Sequence, residues 1–295
     1  MLGLLQLQLQ GLFALRRHRV GLYAVGGKDY TVTGNDLRGS GHSGSFALEL
    51  GNIHPGTLPG GILAHTNLFG TNGGQTSNGG VFIGQMDGLG IGDATTGVHI
   101  KLEDNSGLSQ VAGDDANNRG ALYLNTVSNI TVNDVDCSKS TSGQGNSWGI
   151  RVANTAVNAN VSILNCQAGN RARGIWIDNG KDYTLTGNNM VGSGNGNPAL
   201  ELSNITPGTL TGGILASGNT FGTPNFHRGI VISNMRDLVI GDVSIVGANF
   251  RIEDGSGLNQ CVGTDYNSQG ALYLGNVNNV SIDNVDCSKA TPGAS

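Results

Sequence analysis

The sequence predicts an all-β fold, a single-stranded right-handed parallel β-helix of about eleven coils. Three observations carry that expectation. Blocks of sequence recur in the same order about 150 residues apart. Short apolar alternations recur every 20 to 34 residues inside each copy. No segment carries the 3.6-residue stripe of an amphipathic helix.

The long repeat is explicit. KDYTVTGNDLRGSG from Lys28 returns as KDYTLTGNNMVGSG from Lys181, and GTLPGGILA from Gly56 returns as GTLTGGILA from Gly208. GALYL at Gly120 recurs at Gly270, and DCSK at Asp136 recurs at Asp286. Block order is kept while the offset drifts only from 153 to 150 positions, as in a tandem duplication with short loop deletions. The copies cover about 21–148 and 174–295, a coil at 149–173 links them, and 1–20 reads as a partial coil of one continuous β-helix.

The short repeat sets the coils. GLYAV (Gly21), FALEL (Phe46), GVFIG (Gly80), VHIKL (Val98), GALYL (Gly120), GIRVA (Gly149), GIWID (Gly174), PALEL (Pro198), GIVIS (Gly229), NFRIE (Asn249) and GALYL (Gly270) read as first strands. A second alternation follows most of them, such as ITVNDVDC at Ile130 or VSILNCQA at Val161. Period two means strand. A sandwich would space strands by about 8–12 residues and join them with Asn-Gly or Asp-Gly hairpins. Parallel coils stacked at about 4.8 Å fit better. Asp134, Asn165, Gly187, Asp242 and Asn284 stand at the bends, where a left-handed residue is needed. Asn35, Asn67, Asn188 and Asn219 fall one step later, where stacked amides are expected to bond from coil to coil.

Composition agrees. There are 50 glycines in 295 residues, more than twice the average share of about 7%. Charged residues make up 13% and the net charge is −5 with no basic stripe, which argues against nucleic-acid binding. In MLGLLQLQLQGLFALRRHRV the charges follow the apolar run and glutamines interrupt it, so neither a leader peptide nor a membrane span is expected. Instead LQLQGLFA at Leu7 aligns with VSILNCQA. Both ends look cut within a coil, so further coils of a longer parent chain, or end-to-end self-association, are expected partners. Cys137, Cys166, Cys261 and Cys287 lack metal or disulfide-scaffold spacing and read as reduced core residues. No metal or cofactor motif is expected; the acidic turns at Asp87 and Glu103 and the scattered His54, His65 and His99 read as ordinary turn and surface chemistry.

Coils such as GIWIDNGKDYTLTGNNMVGSG and GALYLGNVNNVSIDNVDCSKA resemble the right-handed parallel β-helix repeat proteins of the pectate-lyase-like superfamily, over essentially the whole chain. That superfamily holds lyases, hydrolases, tailspikes and adhesins, so the resemblance implies a fold rather than an activity. In its lyases and hydrolases the substrate groove lies along the exposed first-strand sheet. Here the residues expected to point out from that sheet are Tyr23, Glu49, Phe82, Lys101, Tyr123, Arg151, Trp176, Glu201, Val231, Arg251 and Tyr273. Aromatic faces suit sugar rings, and arginine suits a uronate carboxylate. Trp176, Tyr123 and Arg151 are the expected anchors. The same residues also suit plain cross-strand packing.

The expectation for function is a non-enzymatic secreted or surface module, stalk- or adhesin-like, which touches polysaccharide along this face. The alternative is a polysaccharide lyase or glycoside hydrolase built on Arg151, Asp178 and Glu201. Asp178 replaces Val25 of the first copy, and its diagonal separation from Glu201, roughly 7–8 Å, falls in the ~6.5–9.5 Å range of inverting glycosidases. A capping role for Asp178 in its turn is the plainer reading.

Overall fold

The computed structural model describes residues 8–10, 19–93, 99–113, 120–139, 144–153, 158–194, 197–222, 228–242, 249–261 and 270–288, with 8–10 and 144–146 by backbone alone. The chain is an all-β parallel solenoid. Among the described residues nine strands stack in the first sheet: Leu22–Val25, Phe46–Gly51, Gly79–Asp87, Leu122–Asn133, Gln144–Ala153, Arg171–Thr186, Leu200–Ile205, Ile230–Ser233 and Leu272–Gly275. Each pairs in parallel with the next. Leu122–Asn133 and Arg171–Thr186 continue round a corner into the second sheet.

Two expected first-sheet strands are elsewhere. Ile100–Lys101 lies in the second sheet between Ile62–His65 and Gly90–Gly92, and Phe250–Arg251 lies there between Ile214–Ser217 and Arg236–Gly241. In both copies the chain steps back after one second-sheet strand and inserts another before it. Alternation says that VHIKL and NFRIE are strands with an apolar face; it does not say which sheet they join. Glycine makes the fit possible, since a Cβ on Gly92 or Gly241 would run into the carbonyl of Asn133 or Asp283. Strand Gln8–Gln10 pairs with Thr31–Thr33 in this second sheet, as its likeness to Val161 requires; 1–7 and 11–18 lie outside the described residues.

The inward ladder of the first sheet runs Leu22, Leu48, Val81, Leu122, Ile150, Ile175, Leu200, Ile230, Leu272, with Ala24, Leu50, Ile83, Leu124, Val152, Ile177, Leu202, Ile232, Leu274 beside it. All but the last member of each ladder are buried. Burying each such side chain is worth about 1.5–3 kcal/mol, which makes this column the main source of cohesion.

Corners are left-handed. Asp134, Asn165, Gly187 and Asn284 take positive φ as expected, while Asp242, where the chain steps back, does not. The inner asparagines stack as anticipated. Asn35 Nδ2 donates to Asn67 Oδ1 at 2.9 Å, Asn188 Nδ2 donates to Asn219 Oδ1 at 3.0 Å, and all four are buried. The two sequence copies repeat their local geometry. Asp29 and Asp182 each accept a backbone N–H at 2.9 Å, from Leu58 and Leu210, and Glu103 and Glu253 accept from Thr66 and Gly218 at 2.9 and 2.8 Å.

Three of the four cysteines are buried and none is bridged, but Cys287 is exposed. The expectation of four core thiols therefore fails at Cys287. Its counterpart Cys137 is covered by the next coil, and no described coil follows Cys287. Burial pushes the Cys166 and Cys261 thiols up to about 12, which removes them as nucleophiles at neutral pH.

Candidate functional site

The register places Tyr23, Glu49, Phe82, Tyr123, Arg151, Trp176, Glu201, Val231 and Tyr273 in one unbroken outer column of the first sheet. Lys101 and Arg251 are not in it. They flank the second sheet, where Lys101 lies 3.9 Å from Asp93 and Arg251 lies 3.6 Å from Glu253. Nine of the eleven expected residues are thus brought together.

Much of the column faces its own neighbours. Phe46, Phe82 and Tyr123 form an aromatic cluster with ring centroids 5.4–5.8 Å apart. Trp148 meets Trp176 edge-on at 4.8 Å. The Arg151 guanidinium lies 4.0 Å from the Trp176 ring centroid and 5.1 Å from that of Tyr123, and Arg173 lies 4.4 Å from Trp176. Each such cation–π contact contributes about 0.5–2 kcal/mol. Tyr123 and Arg151 retain only 7% and 8% exposure, which leaves little of either expected anchor for a ligand. Trp148 and Arg173 enter this cluster from the strand positions before the column. Trp148 shares the parity of the inward Ile150, so period two alone does not place it in this outer cluster.

The two carboxylates of the catalytic alternative are both engaged. Glu201 sits in an ion pair with Arg173 at 2.8 Å. Burial raises the Glu201 pKa above its ordinary value, with the Arg173 charge opposing; burial likewise lowers the Arg173 pKa, with Glu201 opposing. Asp178 pairs in register with Ser203, diagonal to Glu201. Its Oδ1 accepts from Ser203 Oγ at 3.0 Å and from Asn204 Nδ2 at 2.7 Å. Asn234 and Asn276 continue that chain of amides at the corner. The arrangement matches a turn cap. In the same way Asp87 accepts from Ser128 and Asn129.

Sequence reasoning missed a groove on this face. About 270 Å³ lies between Tyr23, Glu49 and Phe82 on one side and Gln85 and Thr126 at the corner on the other. Gly51 and Gly84 are register neighbours and line it. Tyr23 is 64% exposed, and Glu49 Oε1 accepts the Phe46 N–H at 3.0 Å. The volume is near the lower end of small-ligand sites, about 300–1,000 Å³. The legible signal was two glycines at the same place in successive coils.

A buried cation also escaped the sequence. Arg171 is wholly enclosed; its Nε donates to the Cys137 carbonyl at 2.7 Å, and its Nη1 donates to the carbonyls of Val111 and Ala112 at 3.0 and 2.8 Å. Burial pulls its pKa down to about 10. It ties three coils together and faces no groove.

Comparison with protein-family models, with curated proteins and with solved structures finds no match to this chain.

Proposed function

We propose that the chain is a non-enzymatic β-helix module of a secreted or cell-surface protein, a stalk or adhesin-like spacer, and that its glycan-contacting part is the groove at Tyr23, Glu49 and Phe82. One observation carries the reading. The large outer side chains of the middle coils pack on one another, Arg151 between Tyr123 and Trp176 above all, and stiffen the sheet. The groove differs, because Tyr23 offers an open aromatic face beside the Glu49 carboxylate. Sugar rings stack on such faces and their hydroxyls donate to such acceptors. The likeness to pectate-lyase-type coils supports the same face and an extracellular setting.

A glycan array with the wild-type chain, followed by Tyr23→Ala and Phe82→Ala, tests the binding part. Tyr23→Ala should weaken binding by about 1–3 kcal/mol, as a central contact does, without lowering the melting temperature. Tyr123→Ala and Arg151→Ala should lower the melting temperature first. Silence on every glycan removes the ligand and leaves the spacer. Cleavage of a glycan that is lost in both Asp178→Asn and Glu201→Gln replaces this reading with the enzyme.

A further inference from the structure

The C-terminal edge of the solenoid is a copy of a surface whose occupant is visible inside the same molecule. GALYLGNVNNVSIDNVDCSK from Gly270 repeats GALYLNTVSNITVNDVDCSK from Gly120. In the inner copy Leu122, Leu124, Val127, Ile130, Val132, Val135 and Cys137 are at most 1% exposed. In the outer copy Leu272, Leu274, Val277, Val280 and Val285 are only partly buried, Ile282 is 51% exposed and Cys287 is exposed. The residues are nearly the same, so the difference lies in what covers them: the inner copy has a coil on both sides, and no described residue covers the far side of the outer one.

The inner copy is covered by the coil at 144–168. Ile150 and Val152 pair in register with Leu122 and Leu124, Val161 and Ile163 pair with Ile130 and Val132, and the Cys137 N–H donates to the Gln167 carbonyl at 2.7 Å. Strand Leu272–Gly275 pairs on one side only with Ile230–Ser233, and Asn278–Asp283 only with Arg236–Gly241, among the described residues. Their other sides present backbone donors and acceptors above an apolar row, a template for an added parallel strand.

We infer that this edge is a docking site for one further β-helical coil of the type at 144–168. Its occupant carries a Gly-Ile-x-Val first strand that lies parallel on Leu272–Gly275 and a Val-x-Ile second strand that lies on Val280–Ile282. A second copy of the chain is the rival occupant; its first described strand, Gln8–Gln10, pairs with Thr31–Thr33 and so matches the second-sheet half of such a coil.

The test is backbone hydrogen exchange on the full-length chain with a blocked synthetic peptide of residues 144–168, against a scrambled peptide and an Ile150→Asp, Ile163→Asp peptide. The expected result is at least tenfold slower exchange at 272–283 with the native peptide alone, and unchanged exchange at 48–50. A peptide of this length can be too disordered to dock, so the same coil is also joined covalently: residues 140–168 placed after Lys289 should give the same protection and a higher melting temperature. Protection by neither form, or equal protection by the scrambled peptide, overturns the inference. Protection that rises with protein concentration alone, and to which peptide adds nothing, assigns the edge to a second copy and overturns this occupant.

Discussion

Arg171 shows how much one side chain carries when its charge is buried among backbone carbonyls. Its guanidinium is enclosed, bonded to three carbonyls and left with Nη2 unpaired. Burying a cation on carbonyl dipoles costs several kcal/mol and holds only because each bond to a charged donor returns about 1.5–3 kcal/mol. Arg171→Met strands the carbonyls of Cys137, Val111 and Ala112, and should cost about 2–4 kcal/mol in urea unfolding; an unchanged midpoint would show that water takes over the three bonds. Glu201 makes the opposite kind of statement. Burial raises its pKa, so the folded chain holds this proton more tightly than the unfolded chain does. Its contribution is therefore full below its ordinary value of 4.5 and is lost as pH rises through the folded value. Glu201→Gln should flatten the decline in stability above pH 4.5, measured as urea midpoints across pH; the same slope in both proteins would place the titration elsewhere.

At the scale of elements, two asparagine ladders look alike in sequence and differ in weight. Asn188 is buried, donates to Asn219 and the Ile163 carbonyl, and accepts the Cys166 N–H. Asn204 is exposed and bridges Asp178 to Asn234. Asn188→Ala should cost about 1–3 kcal/mol, the penalty of stranded buried groups. Asn204→Ala should cost about 0.5–1 kcal/mol, mostly through its left-handed φ of 55°. Thermal melts of the two variants decide whether burial sets the order. Ile177→Asp, in the middle of the inward ladder, should cost several kcal/mol because its charge would find no partner there.

The elements also show what a sequence can disclose. The inward ladders were legible because period two and apolar character coincide at Leu48, Ile175 and Ile230. The bends were legible because asparagine and glycine carry their own conformational signature. The sheet membership of Lys101 and Arg251 was not legible, because a strand that steps back has the same local pattern as one that steps forward. The groove was hidden for a different reason: Gly51 and Gly84 line it with backbone, and the Phe82 ring lies over Gly84. Arg171 was hidden because Val111, one of its partners, is 60 positions away.

For the whole molecule, strand pairing joins each coil to its neighbours, with Arg171 the side chain that reaches further, so stability is close to a sum of stacking terms along one axis. Exchange protection should be greatest in the coils between Leu122 and Ser217, which are covered on both sides, and should fall toward Asp283. Uniform protection from end to end would mean that the stack melts as one unit.

The stepped-back strands have a mechanical consequence. Among the described residues from Tyr30 to Asp283 the second sheet stacks eleven strands, whereas the first sheet stacks nine. Strand spacing is nearly fixed at about 4.8 Å, so one flank of the tube is longer by about 10 Å. A tube with unequal flanks bows toward the shorter one. The face that carries Tyr23, Trp176 and Tyr273 should then lie on the inside of an arc, which small-angle scattering of the chain would show as a bent rod; a straight rod would mean that the corners absorb the extra strands.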